Sequence, residues 1–148
     1  MTIFLLLGCL SVHAADAVTG QVCKVLPFLL DAQGRDSTSP SLFDRDAYQA
    51  ELRERTNGIS GVRVDVLWRV PKASDEKLKL RVELRGVSQD GSPQLKNFEA
   101  PVTAGFFRHW AKFTLKGDDY KKFGTLVAWR ATLWSDDRLL DEQKSFLW

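Results

Sequence analysis

The feature that most constrains the fold is a strict alternation of apolar and polar side chains in two segments near the middle of the chain. In residues 62–70 every second side chain is Val or Trp, and the residues between them are mostly charged, with Leu67 out of phase. In residues 78–85 leucine and valine alternate with lysine, arginine and glutamate. Because successive side chains of a strand point to opposite faces, this pattern predicts two strands, each with one buried face and one face in water.

Weaker signals predict further strands along the chain. Residues 22–30 are apolar and contain Pro27, which lacks a backbone donor, so we predict an edge strand or an entry strand there. Other strands are predicted through residues 95–98, 107–115, 126–134 and 138–148. The polar tip at 135–137 predicts a hairpin between the last two. The result is about seven short strands, mostly antiparallel because their links are short.

One helix is predicted, at about residues 44–55. Ser41, followed three residues later by Asp44, approximates a capping box, and Asn57 with Gly58 supplies a stop signal. We expect this helix to cover an open end or an edge of the sheets.

The segment 115–120, which ends in Tyr120 and precedes a predicted strand, resembles the tyrosine corner of immunoglobulin-like and fibronectin type III-like domains. The whole chain is also similar to small exported bacterial proteins of unknown function. The expected fold is therefore all-β: an antiparallel immunoglobulin-like β-sandwich of about seven strands with one short helix near the N-terminus. Residues 22–148 are expected to form a single domain.

The N-terminal segment has the layout of a secretory signal. Residues 3–12 are apolar, and Ala14 and Ala17 provide small-residue cleavage sites, so residues 1–14, or 1–17, are the expected signal peptide. A transmembrane span would need about 20 apolar residues. No Lys or Arg opens the segment, so either the true start lies upstream or the signal is atypical, and we favour the upstream start. A second interpretation is that residues 6–9 resemble a bacterial lipobox, in which Cys9 is lipidated and anchors the protein to the membrane.

The composition does not favour catalysis, metal binding or nucleic-acid binding. The chain has 21 Lys and Arg residues against 19 Asp and Glu, with no basic stripe, so nucleic acid is not an expected partner. After cleavage His109 is the one histidine and Cys23 the one cysteine, too few for a nucleophile–base pair or a zinc site. The adjacent carboxylates at 118–119, 136–137 and 141–142 fall in turns or on opposite faces of a strand. We expect no enzymatic activity, no cofactor and no metal.

Tryptophan is the strongest remaining signal, with five in the chain. Trp68 and Trp129 continue apolar strand faces and are predicted to lie in the core, whereas Trp110 and Trp134 fall on the other faces and are the expected binding surface. The sequence thus predicts an exported, non-enzymatic β-sandwich that binds another protein of the bacterial envelope or serves as an accessory module there. The alternative is a carbohydrate-binding module that stacks a glycan on Trp110 and Trp134.

Overall fold

The computed structural model describes residues 17–55, 57–72 and 75–148. Strands dominate this part of the chain, and every strand pair is antiparallel, so the prediction of an all-β antiparallel fold is confirmed. The elements follow in the order β1 (Gln21–Leu30), α1 (Leu42–Glu54), β2 (Gly61–Val70), β3 (Leu78–Val87), β4 (Pro93–Val102), β5 (Gly105–Lys116), α2 (Gly117–Phe123), β6 (Thr125–Ser135) and β7 (Arg138–Lys144).

The strands form two sheets that share one core. The three-stranded sheet has the order β1-β2-β5, and the four-stranded sheet has the order β4-β3-β6-β7. The alternating apolar side chains of β2 and β3 face each other across the core, and the predicted alternation is confirmed: Val64, Val66, Val70, Leu80 and Val82 are fully buried. Leu67, the residue out of phase, lies half-buried on the outer face of its sheet.

β1 is an edge strand, as Pro27 predicted, and side chains satisfy its free backbone edge at both ends. Near its start, the Val22 N–H donates to Asp141 Oδ2 (2.8 Å), and Gln143 Nε2 donates to the Val22 carbonyl (2.7 Å). Both partners lie on β7, so these bonds tie the edge of one sheet to the edge of the other. An edge strand protected in this way is poorly placed to pair with another chain.

Helix α1 protects the other end of the same edge. It begins after Ser41, whose hydroxyl accepts a hydrogen bond from the Asp44 N–H (3.4 Å), so the predicted cap is confirmed. The side chain of Gln49, 2 % exposed, accepts from the Leu29 N–H (2.8 Å) and donates to the Leu29 carbonyl (2.9 Å) and the Asp36 carbonyl (2.8 Å). The side-chain amide of Gln49 therefore makes the hydrogen bonds to the Leu29 backbone that a neighbouring strand would otherwise make.

A second helix, α2, corrects the prediction of a single helix. Gly117, at φ 65°, turns the chain out of β5, and Gly124, at φ 76°, ends the helix. Asp118 and Asp119 lie in the first turn, and lysines lie in the last turn, where the helix dipole favours each charge. Tyr120 lies inside this helix, and its hydroxyl makes no hydrogen bond to other described residues. A helix of seven residues is too short to display a helical period, so the sequence pattern gives no signal for α2.

The last strand also ends earlier than predicted, at Lys144 instead of Trp148. The chain leaves the sheet at Ser145, whose hydroxyl accepts from the Trp129 N–H (3.0 Å). The indole ring of Trp148 then lies under two guanidinium groups, of Arg85 at 3.9 Å and Arg130 at 4.8 Å. In the described residues, neither helix is long and apolar enough to cross a membrane.

Gln49→Leu is expected to lower the free energy of unfolding by about 2–4 kcal/mol, because it leaves buried backbone groups of Leu29 and Asp36 without partners. Urea unfolding followed by tryptophan fluorescence measures this difference. The matched control is Gln89→Leu, at an exposed glutamine, which should change stability by less than about 0.5 kcal/mol. Equal stabilities of the two variants would contradict the role given to Gln49.

The carboxylate of Asp31 predicts a dependence of stability on pH. Burial alone would raise the pKa of Asp31, but hydrogen bonds from the Arg35 backbone, the Tyr48 hydroxyl, the Arg35 side chain and the Gln33 backbone lower it from 3.8 to about 2. The unfolded chain therefore takes up this proton first. The stabilisation is complete above about pH 4 and is lost as the pH falls toward 2.

Asp31→Asn should consequently be less stable than the wild type at pH 7, and this difference should shrink as the pH approaches 2. Denaturant unfolding at a series of pH values tests it. Asp46→Asn, at a carboxylate whose side chain is 78 % exposed, is the control and should follow the wild-type profile. A stability difference that stays constant from pH 7 to pH 2 would refute the assignment.

Candidate functional site

The two tryptophans predicted to form one binding surface lie on opposite sides of the molecule. Trp110 is on the outer face of the three-stranded sheet, opposite Leu67, and is 49 % exposed. Trp134 is on the outer face of the four-stranded sheet, opposite Lys79. Because the core separates the two sheets, no single ligand of ordinary size can contact both indoles. The site must be sought around one of them.

The indole of Trp134 is in contact with side chains of its own sheet. Its Nε1–H donates to Thr132 Oγ1 (2.8 Å), and the guanidinium of Arg81 lies 5.6 Å from the ring centroid. The ring is half-buried in this setting. Trp134 therefore serves the outer face of its sheet as a packing residue, and a ligand would have to displace Arg81 to reach the ring face.

Trp110 lines a cleft of about 490 Å³, which we call the Trp110 cleft. Strands β1, β2 and β5 form its floor, and the loop before α1 and the first turn of α1 form its far wall. Three apolar and six charged side chains line it: Leu26, Leu42 and Trp110, and Lys24, Asp36, Arg45, Arg63, Asp65 and Lys112. Leu42 is 67 % exposed, so the cleft offers an apolar contact on each side.

A fixed ionic group lies in the floor of the Trp110 cleft. Arg63 donates to Asp65 (2.7 Å) and to Asp36 (3.0 Å), and Asp65 is buried. Burial would lower the pKa of Arg63, but the hydrogen bonds to Asp65 and Asp36 outweigh it and raise that pKa. The ring of Phe28 lies 5.4 Å from the same guanidinium and 4.7 Å from that of Arg45. The floor thus holds one guanidinium between two carboxylates and against an aromatic ring.

The rest of this outer face carries cations without carboxylate partners. Lys24, Arg69, Arg108 and Lys112 form no ion pair with the residues that the structure describes. The outer face of the four-stranded sheet differs, because several of its basic side chains are paired: Arg81 with Glu99, Arg130 with Glu83 and Lys144 with Glu142. Arg85, which has no carboxylate partner among the described residues, stacks on the ring of Trp148. The three-stranded sheet therefore presents the positive side of a nearly neutral protein.

The start of β5 presents an exposed aromatic group. The period of two predicts Phe107 on the same face as Phe113 and Leu115, and this prediction is wrong because the pairing with β2 shifts between Trp68 and Val70. Phe106 and Phe107 are 71 % and 73 % exposed, and their rings meet edge to face at 5.4 Å. The signal was present in the sequence, since two adjacent aromatics followed by Arg108 break the alternation expected of a strand. Exposed aromatics this close together are typical of interaction surfaces.

The other residues considered for chemistry are His109, Cys23 and the adjacent carboxylates, and the structure gives each of them a place in the fold. The ring of His109 lies 5.3 Å from that of Trp68, at the exposed rim of β5. Cys23 is a free, half-buried cysteine at the irregularity between β1 and β2. The adjacent carboxylates are separated: Asp141 binds the β1 backbone, whereas Glu142 pairs with Lys144. No group of three or more His, Cys, Asp or Glu side chains in the described residues is arranged to hold a metal.

Trp68 lies in the core, as predicted. Trp129 is half-buried and packs against the core. An irregularity in the pairing of β6 with β3 turns Val127 outward, so that Leu126 packs on the core in its place. The predicted signal peptide and the predicted lipidation site Cys9 lie outside the described residues.

Comparisons with protein-family models, with curated proteins and with solved structures find no match for this chain.

Proposed function

We propose that this protein is an exported, non-enzymatic β-sandwich of immunoglobulin-like type that binds another protein of the bacterial envelope through the Trp110 cleft. The observation that carries the proposal is the composition of that cleft: an accessible indole and an accessible leucine lie on either side of a floor that contains the ion pairs of Arg63. Tryptophan and arginine are the side chains that contribute most often to the binding energy of protein interfaces.

The free edge of β5 supports a protein partner. β5 is the edge of its sheet opposite β1, and no side chain among the described residues hydrogen bonds to its free backbone groups. β1, in contrast, has side chains on its free edge at Val22 and Leu29. An extended segment of a partner can therefore add to β5, and its side chains would lie beside Trp110 and Lys112.

The immunoglobulin-like assignment rests on seven antiparallel strands divided three and four between two sheets that share a core. Export rests on the apolar N-terminal segment and the small residues at Ala14 and Ala17. The accessory role follows from the two together, because the described side chains offer surfaces for contact and no paired nucleophile and base.

A glycan is the second candidate ligand, and Trp110 alone favours it. A half-exposed indole beside the carboxylates and guanidinium of the cleft floor could stack on one sugar ring and bond to its hydroxyls. Trp134 takes no part in this version of the carbohydrate-binding module, because it lies on the other sheet.

A photo-crosslinking amino acid at position 110 of the full chain, produced in its native host, should yield one dominant protein adduct. The same group at Leu95, which is 71 % exposed on β4, is the control and should not yield that adduct. Trp110→Ala should weaken binding of the purified partner by about tenfold or more, whereas Leu95→Ala should leave it unchanged. Identical adducts at both positions, or none at position 110, would argue against the proposal.

Titration of the full chain with polysaccharides, followed by tryptophan emission, separates the two candidate ligands. With a protein partner we expect no change in emission. A saturable change that disappears in Trp110→Ala would assign the cleft to a glycan instead.

A further inference from the structure

Phe106 and Phe107 form a convex projection, which we call the aromatic knob. In the pairing of β5 with β2, His109 faces Trp68 but Gly105 faces Val70, so residues 106–108 have no pairing partners and bulge out of the sheet. Both phenylalanines are more than 70 % exposed, and neither lines any of the clefts described above. A bulge that holds two apolar side chains in water costs free energy unless another surface covers them.

Two arginines, Arg69 and Arg108, lie next to the aromatic knob. The guanidinium of Arg69 lies 5.5 Å from the ring centroid of Phe106, and Arg108 directly follows Phe107. Neither arginine forms an ion pair with a described residue. Asp65, the acidic residue of the same strand as Arg69, is bound by Arg63 and does not offset these charges. The surface that covers the knob must therefore be apolar within and negative at its boundary.

The chain enters the described structure beside the knob. Gln21 pairs with Arg69, and Thr19, Gly20 and Gln21 line a small cleft together with Arg69 and Pro71. The residues before Ala17 include the predicted signal and Cys9. The eight-residue step from position 9 to position 17 spans at most about 28 Å. When Cys9 is lipidated, as in the second interpretation of this segment, the membrane that holds it lies within reach of the knob; after cleavage at Ala14 or Ala17, docking depends on the knob and its cations alone.

From the knob, its cations and its position we infer a membrane-docking site: Phe106 and Phe107 enter the headgroup region of an anionic phospholipid bilayer while Arg69 and Arg108 contact lipid phosphates. Aromatic side chains settle at that depth, and basic side chains add attraction to anionic lipid. A bilayer accepts a convex apolar group without a preformed pocket, which a folded protein partner would need. This site is separate from the Trp110 cleft, so the two proposals can fail independently.

Flotation of the full chain with vesicles tests the inference. We expect tighter binding to vesicles of equal parts phosphatidylcholine and phosphatidylglycerol than to phosphatidylcholine alone, because the N-terminal segment contributes equally to both. High salt should reduce binding to the anionic vesicles to the level of the neutral ones. The double variant Phe106→Ser/Phe107→Ser should bind about tenfold more weakly or worse, because two apolar side chains no longer enter the bilayer. Phe146→Ser is the matched control, since Phe146 is fully exposed beyond β7, and it should bind as the wild type does.

Single substitutions keep the test valid if the double variant does not fold. Arg108→Glu should weaken binding to the anionic vesicles, whereas Lys121→Glu, at an exposed lysine of α2, should not. Phe107→Trp should add emission that brominated lipid quenches, and Phe146→Trp should add emission that it does not quench.

Every variant carries the same N-terminal segment, so the contribution of that segment to lipid binding is constant throughout. Binding that survives in both Phe106→Ser/Phe107→Ser and Arg108→Glu would overturn the inference. So would equal binding to neutral and anionic vesicles, or no vesicle binding by the wild type, including the case in which the knob captures an acidic protein instead.

Discussion

The burial of the inner face of β2 against β3 and β6 is the constraint on which the rest of the structure depends. Val62, Val64, Val66 and Val70 are at most 1 % exposed, and each fully buried side chain of this size contributes about 1.5–3 kcal/mol. This stripe lies on the middle strand of the three-stranded sheet and faces the two middle strands of the other sheet. Because the inner faces are buried in the core, the outer faces and the edges of the sheets are the surfaces that can contact other molecules.

The two outer faces are built differently. On the four-stranded sheet, cross-strand ion pairs and stacked indoles engage the arginines, so this face is satisfied by its own side chains. On the strands of the three-stranded sheet, Arg63 has carboxylate partners, whereas Lys24, Arg69, Arg108 and Lys112 have none among the described residues. Because unpaired charge attracts opposite charge from outside, the asymmetry directs binding to one side of the molecule.

The edges of the three-stranded sheet follow the same division. β1 has its backbone groups satisfied by Asp141, Gln143 and Gln49, which come from two other elements. β5 keeps its outer edge open and bears the aromatic bulge. An unpaired strand edge next to exposed aromatic side chains promotes aggregation unless another surface covers it. We therefore expect a partner or a membrane to cover this part of β5.

Local signals predicted much of this architecture. The alternation in residues 62–70 and 78–85, the cap at Ser41 and the position of Pro27 depend on neighbours along the chain, and all three predictions are confirmed. Helix α2 was missed because it is short. In β6 the period of two predicts Val127 on the inner face with Trp129 and Ala131, but a bulge turns Val127 outward. Alternation within one strand does not reveal where the pairing with its neighbour shifts.

The functional surface was the harder part to predict, and Trp110 and Trp134 explain why. The sequence by itself determined that each lies on the outer face of its strand, since that follows from a period of two. It could not determine that the strands belong to different sheets, because sheet membership is decided by pairing between distant segments. Likewise, which cations lack partners and which aromatics stand free depended on strands that the tertiary structure alone brings together.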